Sequence, residues 1–208
     1  MKKHFMSIFI IAIITTLSIF LWKTRRTYSI LEGFANNAGL INQLCDHYSI
    51  DPRLYVSVVY GELYNNLDDL DRTDILRAAA GFNPSIGFAQ IRLSTAKWIE
   101  IEHCDELEIK PSKNRYDLIE RIARDSMNIC YSICYIRLIQ KSFQETTGAL
   151  PNVQQTGSWY ARGIDREDVV LSSEYQNIVG RTANQFYQSE ALTNHYPRES
   201  FSVNLQAP

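Results

Sequence analysis

The chain has 208 residues, of which 45% are hydrophobic and 21% are charged, and its formal net charge is -2. This length and composition allow one domain of ordinary size with a hydrophobic core, and they exclude a disordered or fibrous protein. The small net charge provides no general attraction to nucleic acid, and no long run of Lys and Arg interleaved with aromatic residues follows residue 30. Nucleic acid is therefore not an expected partner.

The first predicted element is an apolar N-terminal segment. Residues Phe5 to Trp22 carry no charge, and basic residues flank them on both sides: Lys2, Lys3, Lys23, Arg25 and Arg26. Such a segment predicts a membrane helix or a signal peptide. Because it is longer than the usual apolar region of a signal peptide and no clear cleavage site follows, we expect an uncleaved signal anchor. The body of the chain would then lie on the extracytoplasmic side of the membrane.

The next segments predict helices. From Ile30 to Tyr48, apolar residues recur every three or four positions, which is the pattern of an amphipathic helix. Asp51 and Pro52 are typical of a helix start, with Asp as N-cap and Pro at the first helical position, so a helix is expected over Arg53 to Leu63. Two shorter helices are expected, over residues 73–80 and 94–102.

The second half of the chain contains the longest periodic segment, from Tyr116 to Phe143. Its apolar residues cover much of the helix circumference, so we expect a single central helix there. Gly148, Pro151 and Gly157 indicate a loop. A last helix is expected over residues 173–190, again from three- and four-residue spacing of its apolar residues.

The predicted architecture is one mainly α domain behind a membrane anchor. The anchor covers residues 1–29, the domain residues 30–192 and a polar tail residues 193–208. We find no internal repeat and no alternating strand pattern of any length.

Glu62 is a candidate general acid. It follows Tyr55, Val58 and Val59 at helical spacing, so its carboxyl group is placed on the apolar face of the helix. Partial burial disfavours the ionised form and raises the pKa, which allows a carboxylic acid to donate a proton near neutral pH.

The cysteines and histidines indicate no metal site. Four cysteines are compatible with two disulfides in an oxidising compartment, with three pairings, and equally with buried thiols: Cys45, Cys104, Cys130 and Cys134. None has the spacing of zinc ligands, and the four histidines are scattered. The sequence predicts neither a metal nor a cofactor.

Four short motifs follow one another between residues 40 and 190. They are the helix-end Glu62, then Ser85-Ile86-Gly87-Phe88-Ala89-Gln90-Ile91 with Thr95-Ala96, then Asn128-Ile129 with Tyr135-Ile136, and then Tyr160-Ala161-Arg162-Gly163. In this order the chain resembles the lysozyme-like lytic transglycosylases of the soluble lytic transglycosylase and goose-type lysozyme kind. Their corresponding patterns are a helix-end Glu, S-x-G-x-x-Q-[IV], N-I-x-x-G-x-x-Y-L and Y-N-x-G.

The chain departs from these patterns at three positions. Leu63 stands where the family commonly has Ser, Ser132 stands at the glycine of the central helix, and Ala161 replaces the Asn of the last motif. The segment between Glu62 and Ser85 is also longer than in many members.

The resemblance implies a lysozyme-like fold with Glu62 as the catalytic residue. The residues that it implies for substrate binding are Ser85, Gly87, Gln90, Asn128 and Tyr160. Gly87 would let the backbone approach a sugar, and the Gln90 amide can both donate and accept hydrogen bonds. Tyr160 would hold the orientation of the Glu62 carboxyl, and Asn128 would cap a loop or line the cleft.

The implied reaction is cleavage of the bond between N-acetylmuramic acid and N-acetylglucosamine in peptidoglycan, with a 1,6-anhydro product. Two alternatives stay open. One is a hydrolytic muramidase, in which an acidic residue between Asp68 and Asp74 positions water. The other is a catalytically silent, membrane-tethered module that binds glycan strands or protein partners in a cell-envelope complex.

Overall fold

The computed structural model describes residues 2–66, 71–103, 105, 109–164 and 171–195, without the side chains of residues 2–10, 12, 71, 72 and 195. The described residues are mainly helical with few strands, which confirms the predicted mainly α class. The helices are α1 Lys2–His47, α2 Pro52–Asn65, α3 Asp71–Ala79, α4 Leu93–Glu102, α5 Arg115–Ile122, α6 Asp125–Thr147, α7 Val153–Arg162, α8 Ile178–Tyr187 and α9 Glu190–His195. The strands are β1 Ser85–Ile86 and β2 Ile91–Arg92.

The chain divides into two compact units, Met1–Asn36 and Asn37–Pro208. The first unit is the N-terminal part of α1, and the described large apolar side chains between residues 11 and 22 are exposed, among them Phe20 at 65% and Leu17 at 55%. The described residues include no helix with both the length and the apolar character needed to cross a membrane.

Helix α2 is the most deeply buried element of the second unit. Every residue from Pro52 to Gly61 is buried, and α2 packs against α7 and α8. As predicted, Asp51 is its N-cap, and the Asp51 side chain accepts a hydrogen bond of 2.8 Å from the Arg53 amide. The run of buried residues in α2 thus ends directly before Glu62.

Small residues allow α2, α7 and α8 to pack closely. A methyl group added to Gly61 would lie 2.6 Å from the Val179 carbonyl oxygen, and one added to Gly180 would lie 2.1 Å from the Ser158 hydroxyl. The prediction of a loop at Gly157 is wrong, because Gly157 lies within α7, where it faces α8. Glycine is tolerated in this helix because it permits the close approach.

The predicted single helix from Tyr116 to Phe143 is also wrong, because the segment forms two helices. Helix α5 ends at Ile122, and Arg124 is extended before α6 begins. The Asn128 side chain donates a hydrogen bond of 2.7 Å to the Ile122 carbonyl, so the interruption is stabilised by a contact that apolar periodicity does not reveal.

The last predicted helix begins later than expected. Asn177 caps α8 by accepting a hydrogen bond of 3.0 Å from the Gly180 amide, so residues 173–177 precede the helix. Among the described cysteines, Cys45, Cys130 and Cys134, there is no disulfide, and Cys104 lies outside the described residues.

Replacing Gly180 with Ala should destabilise the second unit by about 1–3 kcal/mol, because the new methyl group would overlap with atoms of α7. Gly39→Ala is the matched control. Gly39 is also helical, but a methyl group there would meet nothing within 4 Å, so this change should stabilise the chain by roughly 0.5–1 kcal/mol. Urea unfolding of both variants would measure the difference, and equal effects would contradict the proposed packing.

Candidate active site

Glu62 lies in the last turn of α2 and lines a cleft. The residue is partly exposed, but its Oε2 atom is buried and has no hydrogen-bond partner among the described residues. A buried carboxylate oxygen without a donor is costly when it is charged. The neutral acid is therefore favoured.

The motif loop faces Glu62 from a short hairpin. Strands β1 and β2 are antiparallel, with Ser85 opposite Arg92, and residues 87–90 connect them. Gly87 and Gln90 both have left-handed backbone conformations, with φ of 76° and 54°. That conformation is uncommon for a residue other than glycine, so other contacts must hold Gln90 in place.

The Gln90 side chain provides such contacts. Its amide nitrogen donates to the Gly87 carbonyl at 3.0 Å, and its amide oxygen accepts from the Asn66 side chain at 2.5 Å. Asn66 is the C-cap of α2. Gln90 therefore joins the motif loop to the end of the helix that carries Glu62.

Asn128 supports the loop from behind. Its side-chain oxygen accepts from the Ala89 amide, and its nitrogen donates to the carbonyls of Ile86 and Ile122, each at 2.7 Å. Asn128 is fully buried. A methyl group on Gly87 would lie 2.5 Å from the Asn128 amide nitrogen, so glycine is needed there for space as well as conformation.

Tyr160 contacts the front of the same loop. Its hydroxyl donates to the Ala89 carbonyl at 2.7 Å, so that bond goes to the loop and not to the Glu62 carboxyl. Burial raises the pKa of Tyr160, and negative charge on neighbouring groups, including Tyr55 and Glu62, raises it further. The phenol is therefore a proton donor at any physiological pH.

The cleft brings together four of the six residues predicted from the sequence. Glu62, Ser85, Gln90 and Tyr160 line a narrow space of about 10 Å³, whereas Gly87 and Asn128 are not among its lining residues. The other lining residues are Ile91, Arg92, Thr95, Tyr135, Ala161 and Gly163. Glu62 is the only carboxylate among the described residues of this lining.

Two opposing influences act on the Glu62 carboxyl. Burial raises the pKa of Glu62, and the positive charge of Arg92 lowers it to a smaller extent. Arg92 is held at the cleft by bonds to the carbonyls of Ala161 at 3.0 Å and Arg162 at 3.4 Å. The net effect is an acid that keeps its proton to higher pH than an exposed glutamate.

Sequence reasoning assigned no role to Arg92 and Tyr135. Arg92 belongs to a strand of two residues, which is too short to show an alternating pattern. Arg92 is placed at the cleft by its pairing with Ser85, because paired residues project to the same face of a sheet. That pairing is not visible in the sequence. Tyr135 belongs to a recognised motif, and its hydroxyl accepts a bond of 2.8 Å from the Ile164 amide beside the cleft.

No protein-family model matches the chain, and no curated protein matches it.

Glu62→Gln should make the protein more stable than wild type at neutral pH. Since burial raises the pKa of Glu62 in the folded state, the folded state holds a proton that the unfolded chain has lost. The free energy of unfolding of the wild type must therefore fall as pH rises from about 4.3, the usual pKa of glutamate, through the higher folded pKa. The amide variant should lack this fall.

Urea unfolding at pH 4 and pH 8 would measure this effect. The two proteins should differ little at pH 4, and the variant should be the more stable at pH 8. Glu102→Gln is the control for the loss of one negative charge, because Glu102 is an exposed carboxylate of α4. If the free energy of unfolding of Glu62→Gln differed from that of the wild type by the same amount at pH 4 and at pH 8, the pKa of Glu62 would not be raised.

Proposed function

We propose that this chain is a peptidoglycan lytic transglycosylase with a lysozyme-like domain, in which Glu62 acts as general acid and then as general base. One observation carries the proposal. Glu62, a carboxyl with a buried, unpartnered oxygen and a raised pKa, shares one cleft with Ser85, Gln90 and Tyr160, as the resemblance implies.

In the first step, the protonated Glu62 carboxyl transfers its proton to the glycosidic oxygen between N-acetylmuramic acid and N-acetylglucosamine. The bond from that oxygen to C1 of the muramic sugar breaks, and positive charge develops at C1. The raised pKa of Glu62 supports this step, because a larger fraction of the enzyme holds the proton near neutral pH.

In the second step, the Glu62 carboxylate accepts the proton of the muramic C6 hydroxyl. The C6 oxygen forms a bond to C1 and closes a 1,6-anhydro ring. Glu62 ends the cycle protonated, as it began, and no water is consumed. The positive charge of Arg92 favours the carboxylate state that this step requires.

The proposed route needs a single carboxylate, and Glu62 supplies one in the cleft. A glycosidase that positions water with a second acid needs a second carboxylate at the bond. Among the described lining residues Glu62 is the only one, and Asp74 of the acidic stretch is buried and bonded to Arg77 at 3.3 Å. Asp68, Asp69 and the side chain of Asp71, which belong to the same stretch, lie outside the described part of the chain.

Mass spectrometry of muropeptides tests the proposed reaction. Full-length protein incubated with purified peptidoglycan should release products with anhydro-muramic ends. Glu62→Gln should lower the rate by about 10²–10⁴-fold, the usual contribution of a general acid or base, and Glu102→Gln should retain the wild-type rate.

Other products would lead to other assignments. Reducing muramic ends would identify a hydrolytic muramidase. If folded protein released nothing at several pH values, the lyase assignment would be wrong. Binding of glycan strands by both wild type and Glu62→Gln would then identify a binding module of an envelope complex.

We also propose that the N-terminal segment anchors the domain to the membrane on its extracytoplasmic side. The support is the exposed apolar surface between Ile11 and Trp22, followed by basic residues at Lys23, Arg25 and Arg26. Peptidoglycan lies on that side of the membrane, so the location agrees with the proposed substrate.

Carbonate extraction of membranes from expressing cells tests the anchor. The full chain should stay in the membrane pellet. Ile14→Asp with Leu17→Asp should release it, because each charge would cost about 2.5–3.5 kcal/mol in the bilayer centre. Wild-type protein in the supernatant would contradict the anchor.

A further inference from the structure

A second cavity is lined by residues of the same junction between β2 and α4 that borders the cleft. It encloses about 560 Å³, within the range of roughly 300–1,000 Å³ that is usual for small-ligand sites. Arg92 lines the cleft, whereas the next two residues, Leu93 and Ser94, line the cavity. The cleft and the cavity therefore border the same junction between β2 and α4.

The cavity presents positive charge from two sides. Lys97 projects from α4, and Lys113 belongs to the segment that precedes α5. Both are exposed, and neither forms an ion pair with a carboxylate in the described part of the chain. Arg115 adds a third charge, and its guanidinium is bonded to the backbone carbonyls of Ala78 and Phe82.

The one carboxylate among the described lining residues, Glu100, is already neutralised. Glu100 accepts hydrogen bonds from the Arg121 guanidinium at 2.9 Å and from the amide of Ser112 at 2.8 Å. The hydroxyls of Ser112 and Tyr131 also donate to Glu100. Its charge is therefore not available to balance the lysines, and the cavity favours an anion.

The walls of the cavity are apolar, and its rim is held in shape. Leu93, Pro111 and Leu118 line the walls. At the rim, Asn83 and Ser94 are joined by two bonds: the Ser94 amide donates to the Asn83 side-chain oxygen at 2.8 Å, and the Asn83 amide nitrogen donates to the Ser94 hydroxyl at 2.9 Å. A suitable ligand thus combines carboxylates with aliphatic groups.

We propose that this cavity binds the acidic stem peptide of the glycan strand whose sugars occupy the cleft, with Lys97 and Lys113 pairing with peptide carboxylates. The proposal rests on the proposed function. The peptides attached to muramic acid carry free carboxylates and short aliphatic side chains, which match both properties of the cavity. A peptide of three to five residues extends about 10–18 Å. That length is comparable with the roughly 10–12 Å diameter of a helix, and α4 contributes Thr95 to the cleft and Lys97 to the cavity.

A comparison of two substrates tests the proposal with the full-length chain. One substrate is a glycan strand with its stem peptides, and the other is the same strand after removal of the peptides by an amidase. Lys97→Gln with Lys113→Gln should lower kcat/KM on the first by about tenfold, because two charge-assisted contacts are lost. The rate on the second should not change.

Lys141→Gln is the control, because Lys141 is an exposed lysine on α6 outside the cavity lining. It should leave both rates as in the wild type, and circular dichroism would verify that each variant is folded. Equal losses on both substrates, or no loss on either, would overturn the proposal.

Binding of the free stem tetrapeptide separates this proposal from the proposed function. In calorimetric titration, wild type and Glu62→Gln should bind the peptide with equal affinity, and the lysine variant should bind about tenfold more weakly. A peptide with amidated carboxylates should not bind. If the protein cleaves no glycan yet binds the peptide in this way, only the lyase assignment fails. If the peptide binds to neither protein, or binds equally after amidation, the cavity assignment fails.

Discussion

The candidate site depends on the three hydrogen bonds of Asn128. They hold the Ala89 amide and the Ile86 carbonyl of the hairpin, and they also stabilise the interruption between α5 and α6 at Ile122. A buried amide with all three bonds made fixes both the loop and the helix behind it. The remaining loop contacts, from Gln90 to Asn66 and from Tyr160 to Ala89, then bring the hairpin to the end of α2 and the start of the cleft.

The position of Glu62 follows from close helix packing. Gly61 faces α8 at a distance that no side chain could occupy. Glu62 lies about 100° further around the helix, so its carboxyl turns from the packed interface toward the cleft. There one oxygen is still buried without a donor, which is unfavourable for the folded state when the group is charged. Unsatisfied groups of this kind concentrate at functional sites, where the same feature that reduces stability prepares an acid for proton transfer.

The sequence predicted those features of the fold that depend on interactions between residues close together in the chain. The start of α2 at Asp51 and Pro52 and the position of Glu62 at its end required only capping chemistry and helical spacing. The division between α5 and α6 could not be predicted, because it depends on a bond from Asn128 to a carbonyl six residues earlier, together with two bonds to a distant loop. Gly157 was misread for the same reason, since its role becomes visible only when α8 packs against α7.

The role of the hairpin extends beyond the cleft. Ser85 and Arg92 form its paired end at the cleft, and the bonds between Asn83 and Ser94 continue it to the rim of the second cavity. A sugar and its attached peptide differ in chemistry: the first needs neutral hydrogen-bonding groups beside an acid, and the second needs cations beside apolar walls. Residues of one junction line both the cleft and the cavity, so a movement of the hairpin would affect both. Under the proposed function, the geometry of the hairpin, and through it Asn128, would therefore couple cleavage to the recognition of the substituent that the strand carries.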